Sequence, residues 1–362
     1  MQIVVIGAGV LGSSLAFRLA QAGQRVTLVE RAGVAQGTTG STFAWINSNQ
    51  KTPEDYYALN LAGVGAHREL RDELGDAPWL NEGGNLYWST GGEDANELEA
   101  RVARLQGWGY RAEWIGREAV RELEPNLTPE PEVEQIASFP DEAWINGPAL
   151  AARFLALAVE HGASVRFLSQ VTAIEQGGGR VIGVMLADGE RIDADIVVNC
   201  AGPGAGVVAR LAGRELPMAS TPGLVVRVSN ASGLISRVIH APQIHMRPDT
   251  DGLVMLHHGD ADKAMARGET PHEWIRTFFE RASSYVPGFA DARLSRWSIG
   301  IRPIPADGRT SAGLVSAIPG YAEIVTHSGI TLGPLLGRLV ARQIVDGETD
   351  AVLEPFTPER FA

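Results

Sequence analysis

Arg302 stands in the stretch GIRPIPADGRTSAG, residues 300–313, between a Gly-Ile step and a proline. The chemistry open to a guanidinium so placed is a pair of parallel charge-assisted hydrogen bonds to an anion, a geometry that lysine does not reproduce. Pro303 and Pro305 restrict the local backbone, so the fork is aimed with little conformational freedom. The competing use is structural, with Arg302 pairing to Asp307 or Glu323 to pin a loop. His245 lies in QIHMRPDTDGLVML, a hairpin pattern, and His257 and His258 follow on the next strand. Such histidines donate to a carboxylate, sense pH, or sit buried and satisfied. Strand alternation sends only one of His257 and His258 inward, and His258 is the one expected there. Lys51, in NSNQKTPEDYY, is one of few lysines. It reads first as a helix-entry surface residue.

A second set of residues carries phosphate chemistry. Gly7-Ala8-Gly9-Val10-Leu11-Gly12 follows the apolar run IVVIG and opens the helical pattern VLGSSLAFRLAQAG. Gly7 permits a tight turn, Gly9 lets the backbone approach a pyrophosphate, and Gly12 allows close helix–strand packing. The helix N-terminus offers unpaired N–H groups and a positive dipole end. Glu30, followed by Arg31, ends the next strand RVTLVE, where a carboxylate accepts from both ribose hydroxyls of an adenosine. The fingerprint does not separate NAD from FAD. Its N-terminal position favours FAD by analogy.

The elements that must position these groups follow from periodicity. The first thirty residues read β-α-β, and a helix begins near KTPEDYYALNLAGVGAHRELRDELG with Thr52 as N-cap, Pro53 in the first turn and Asp55 in capping-box position. Residues 79–140 are mixed and unresolved by periodicity. From Pro148 a helix, a strand and a ladder of short strands lead to VVNCAG; residues 217–299 alternate strand-like pieces with one helix, PHEWIRTFFERASSYV; the tail is strand, glycine loop and helix. The expected class is α/β. A Rossmann-type dinucleotide domain (1–78, 141–216, 300–362) is joined by a mixed antiparallel-sheet substrate domain (79–140, 217–299), discontinuous in sequence.

At 362 residues the chain is long enough for two domains and a sizeable core. A net charge of −12 counts against a nucleic-acid partner, and one cysteine excludes an internal disulfide and any multi-cysteine metal site. No apolar run approaches membrane-span length, and a cytoplasmic protein with no metal is expected.

Four ordered stretches resemble FAD-dependent oxidoreductases of the D-amino-acid oxidase family, including glycine and sarcosine oxidases. They are VVIGAGVLGSSLAFRLAQAGQRVTLVE, GTTGSTFAWIN, ADIVVNCAGPGAG, and the pair GIRPIPADGRTSAG and THSGITLGPLLGRLVA. The resemblance implies noncovalent FAD, because residues 297–331 lack the cysteine that covalent members use. It implies that Thr38, Thr39, Ser41 and Thr42 surround the flavin diphosphate. Cys200, Ala201 and Gly202 would return the chain to the cofactor, and Val171 would contact adenine through its backbone. His327, Ser328, Gly329, Ile330, Thr331 and Leu332 would face the flavin ring, with the helix N–H groups toward its pyrimidine edge. Arg302 matches the arginine that holds a substrate carboxylate over the flavin. His245 stands where glycine-oxidase-like members often carry a tyrosine. Lys51 approaches the flavin face by analogy, and Trp45, Asn47 and Asn49 share its loop as candidate pocket walls.

The implied activity is oxidation of the CH–N bond of a small amino acid or secondary amine carboxylate, with oxygen or another acceptor taking the electrons. The same guanidinium serves a 2-hydroxy acid dehydrogenase. An RNA-modifying or noncatalytic flavoprotein is the third reading, which the acidic balance and the absence of a basic run disfavour.

Overall fold

In the computed structural model, which describes residues 1–361, a six-stranded sheet runs in the order Ser311–Leu314, Tyr321–Val325, Ile196–Asn199, Gln2–Ile6, Arg25–Val29, Ser164–Arg166. All neighbours pair in parallel except the antiparallel edge Ser311–Leu314. Residues Ile3–Ile6 are buried, as a strand covered on both faces requires. The chain leaves the first strand toward Arg25–Val29 on one side, while Ile196–Asn199 lies on the other. Such a reversal leaves a crevice beyond the strand ends. Ile6 pairs with Asn199, so Gly7 and Cys200 emerge side by side into it.

The helix Val10–Gln21 buries Leu11, Leu15, Ala16 and Leu19 on one stripe and stops before Gly23 in the left-handed region. It packs against the helices Gly147–Glu160 and Gly329–Asp346. The helix over the KTPEDYY region spans Glu54–Leu74. Its N-cap is Pro53 with no side-chain cap bond, so Thr52 does not cap it. Asp55 reaches instead to the Arg309 guanidinium, an interaction of greater charge than a capping bond.

An eight-stranded sheet forms the second layer, in the order Arg293–Arg302, Thr221–Ser229, Val254–His257, Ile244–Pro248, Val238–Ala241, Asn85–Tyr87, Gln135–Phe139, Glu113–Gly116. It is antiparallel except where Val238–Ala241 meets Asn85–Tyr87. Three strands from residues 79–140 thus extend, at one end, a sheet begun by five strands from residues 221–302. One face buries Leu224, Val226, Leu256 and Met246 against Ile275 and Phe278 of the helix Pro271–Tyr285. A second helix, Gly259–Ala266, follows His258, where only one helix was expected between 217 and 299. Its eight residues bury Ala261, Ala264 and Met265 alone, too short a stripe for periodicity to reveal. No helix of the described residues is long and apolar enough to cross a membrane.

Candidate functional site

The crevice at the strand ends is a cleft of about 390 Å³ lined by Gly7, Gly9, Val10, Leu11, Glu30, Arg31, Thr38, Thr39, Ser41, Thr42, Cys200, Ala201, Gly202, Gly329 and Ile330. Gly7 holds φ +110°, which only glycine adopts without strain. A Cβ at Gly12 would stand 1.9 Å from the Gly7 carbonyl oxygen, so Gly12 lets the helix sit on the strand and lies behind the lining. The Glu30 carboxylate is pinned by the backbone N–H groups of Ala8 at 2.9 Å and Ala32 at 2.8 Å. A carboxylate offers about four acceptor sites, so each oxygen keeps capacity for a ribose hydroxyl. Thr39 Oγ1 accepts from the Val10 N–H at 3.1 Å and Thr38 Oγ1 donates to Ile301 O at 2.5 Å, tying the small-residue loop to the helix start and to the strand of Arg302. The cradle around Gly9, the held acid and the helix start suit the diphosphate and ribose of FAD.

Two expected contacts fall elsewhere. Val171 begins the strand Val171–Gly177 and is buried against Val4, Ile6 and Val29, outside the cleft lining. Leu332 is fully buried in the core under the helix Gly329–Asp346. Conversely, Gly33, Ala35, Gln36 and Ile299 line the cleft without having been singled out. The Ala-Gly-Val-Ala run after Arg31 carried that signal, since a diphosphate needs compact walls.

A second cavity, of about 410 Å³, shares Thr38, Ser41, Thr42, Gly300 and Ile330 with the cleft. Its walls bring together Trp45, Asn47, Lys51, His240, His245, His257, Asp262, Arg302, His327, Ser328 and Thr331. Sheet register explains the histidines. His240 pairs with His245 and His245 with His257, a cross-strand row on three adjacent strands. His258 lies outside the lining. The strand ends at His257, and His258 turns away to cap the next helix, its Nδ1 accepting from the Asp260 N–H at 3.2 Å. The inward histidine is therefore His257. His240 was not anticipated, and its Nδ1 bonds to Asn85 Oδ1 at 2.8 Å.

Burial holds His240 and His245 well below the usual imidazole pKa, with neighbouring histidines adding to the effect at both and Arg101 at His240, so both are neutral. Burial alone lowers Lys51 to about 8. Its Nζ stands 5.8 Å from the Tyr56 ring centre, and among the described residues it forms no ion pair. The surface-lysine reading does not hold. Desolvation lowers the His327 pKa, and the Lys51 and Arg302 charges lower it further.

Arg302 lines the cavity from the sheet edge. Its Nη1 donates to Pro222 O at 2.9 Å and its Nη2 to Asp262 Oδ2 at 2.5 Å. Asp307 and Glu323 are engaged by Arg360 and Arg214, so neither pins it. Asn49 is fully buried and does not line the cavity.

Glu142, also unanticipated, sits behind this wall with no exposed surface. It accepts from Trp45 Nε1 at 2.7 Å, Asn85 Nδ2 at 3.0 Å and Tyr110 OH at 2.8 Å. Among the described residues no cation forms a salt bridge to it, and burial raises its pKa to about 7 against the pull of those donors.

Comparison with known proteins agrees with this geometry. A family profile described as FAD dependent oxidoreductase (DAO) matches residues 2–343. The chain is 28% identical over 325 residues to the anaerobic glycerol-3-phosphate dehydrogenase subunit A1 of Haloferax volcanii, covering 83% of the chain but only 54% of that subunit. It therefore spans about half the length of that relative and of some others, such as a bifunctional ThiO/ThiG protein of Trichormus variabilis, of which it covers 55%. It is 25% identical over 373 residues to the glycine oxidase of Geobacillus kaustophilus, covering 99% of the chain and 96% of that enzyme. Among solved structures, an L-amino acid deaminase of Proteus vulgaris superposes with a TM-score of 0.88 at 18% identity, covering 99% of this chain and 93% of that one.

Proposed function

The chain belongs to the DAO family of FAD-dependent oxidoreductases, and from that premise we propose that it oxidises the CH–N bond of a small amino acid or secondary amine carboxylate. The observation that carries this reading is the placement of Arg302 and Lys51 on the wall of a cavity continuous with the dinucleotide cleft. FAD, when bound, supplies the two-electron acceptor. Glu30 and the Gly7–Gly12 turn would hold its adenosine and diphosphate, and the helix start at Gly329 would face its ring. Arg302 and Lys51 give the carboxylate two cations to settle against, which fixes the Cα side of the substrate relative to the cleft. The neutral row His240, His245 and His257, with Phe43 and Trp45, walls the cavity with low-charge aromatic surface that displaces water. FAD would be held noncovalently, and we assign no proton-abstracting residue.

The test is anaerobic. Amino acids, N-methyl amino acids and 2-hydroxy acids are mixed in turn with the FAD-loaded protein, and bleaching of the flavin absorbance is followed. Amino or N-methyl amino acids are expected to bleach it. Bleaching by 2-hydroxy acids alone would move the assignment to a hydroxy acid dehydrogenase, and admission of air then separates oxidase from dehydrogenase.

A further inference from the structure

The Arg302 guanidinium already has a carboxylate partner, and that partner lines the same cavity. Asp262 lies in the first turn of the helix Gly259–Ala266 and is the only acidic residue among the described lining residues. Its Oδ1 accepts the Leu224 N–H at 2.9 Å, which fixes the carboxylate and presents Oδ2 to Arg302 at 2.5 Å. A plain carboxylate approaching Arg302 meets a neutralised cation and a like charge beside it.

His257 sharpens the point. Its Nδ1 lies 3.0 Å from Leu224 O, and a carbonyl only accepts, so Nδ1 carries the proton. Nε2 of the neutral ring is then an acceptor, and it faces Asp262 Oδ2 across 3.6 Å. Two acceptors converge with no proton between them. Asn47 adds a third on the same cavity, a buried Oδ1 with no partner. Arg302 supplies one charged donor to Oδ2; what the set lacks is a donor for Nε2 of His257 and Oδ1 of Asn47.

We propose that Asp262, with Nε2 of His257, recognises the ammonium group of the substrate, so that the cavity selects zwitterionic amino acids over plain carboxylates and 2-hydroxy acids. This rests on the reading of Arg302 as the carboxylate anchor. An ammonium supplies several N–H donors and a charge that offsets Asp262. The N–H donors of Arg302 not used by Pro222 and Asp262, together with Lys51, remain for the carboxylate. A hydroxyl supplies one donor and no charge, and leaves an acceptor unpaired.

Benzoate, a carboxylate with no amine, is the probe, titrated into the FAD-loaded protein by flavin absorbance and by calorimetry. Asp262→Asn keeps the Oδ1 acceptor for Leu224 while removing the charge. It is expected to tighten benzoate at least tenfold, and Arg302→Leu in the Asp262→Asn background is expected to abolish that gain. Unchanged or weaker benzoate in Asp262→Asn, with Arg302→Leu still weakening it in the otherwise native chain, overturns the ammonium inference alone. A gain that survives loss of Arg302 overturns the anchor reading and this inference with it. A measurement on the unaltered protein needs no variant to fold: methylammonium, at constant ionic strength against potassium, is expected to tighten benzoate several-fold. No tightening overturns the proposal.

Discussion

Trp45 and Glu142 are joined by a 2.7 Å hydrogen bond, from an indole N–H on the cavity wall to a carboxyl with no exposed surface. The same carboxyl holds Asn85, which holds His240, so one buried acid sets two walls of the cavity. Three neutral donors favour its charged form and burial favours the neutral one. Burial wins, giving a pKa of about 7.

That balance predicts a pH-dependent stability. The folded carboxyl titrates near 7 while the unfolded one titrates near ~4.3, so between those values the native state binds the extra proton. Stability from this group is fully present below about pH 4 and falls as pH rises toward 7, by roughly 3 kcal/mol. Glu142→Gln removes the titration and should flatten that limb, with Tyr110 rotating to accept from the new amide. Urea melts at pH 5 and pH 7.5 measure it. An equal pH slope in both proteins would remove Glu142 as the cause.

Gly9 and Gly12 belong to one motif yet should fail differently. A Cβ at Gly12 would lie 1.9 Å from a backbone oxygen, whereas at Gly9 the nearest atom is Thr39 Oγ1 at 3.2 Å. Gly12→Ala therefore forces the helix off the first strand and should cost at least the ~1–3 kcal/mol of ordinary overpacking. Gly9→Val is expected to keep its melting temperature within a few degrees but purify without FAD, because its side chain fills the diphosphate cradle. Thermal melts and flavin absorbance of the two variants separate the effects.

The contrast marks what sequence can carry. The Gly7–Gly12 turn, Glu30 and the Thr38–Thr42 loop were legible because each rests on local geometry: a positive φ, a strand end, a run of small residues. The histidine row was not, because His240, His245 and His257 meet only through strand register. Choosing His258 over His257 assumed that the strand continued, but it ends at His257. Asp262 lay hidden for a related reason. Its helix is only eight residues long, and its partner Arg302 stands 40 residues away in sequence. Arg302 itself was legible from its stiff flanks, its counter-ion was not.

Removing one member of the Arg302–Asp262 pair leaves the other partly buried without compensation. Side-chain exposures of 26% and 12% place the pair between the surface and buried cases, so Arg302→Leu should destabilise by about 1–3 kcal/mol. Arg302→Leu with Asp262→Asn should recover most of that stability. Substrate affinity should not recover, because the carboxylate contact, worth roughly 2–5 kcal/mol, is gone in both. A double-mutant cycle on stability and on substrate reduction of the flavin checks this. Recovery of substrate affinity in the double variant would exclude Arg302 as the anchor.

Lys51 gives the cavity a cation that is lost just above neutral pH. Burial sets its pKa to about 8, so it is largely charged at pH 7 and largely neutral at pH 9. Benzoate affinity for the FAD-loaded protein should fall across that interval, and Lys51→Met should bind weakly and without the pH limb. Stability moves the other way. Between 8 and about 10.4 the unfolded chain holds a proton that the native lysine has released, so stability rises with pH there. In Lys51→Met both slopes should vanish together. Persistence of the affinity limb alone would assign it to another group, and His327, whose pKa lies below the usual imidazole range, cannot supply it at that pH.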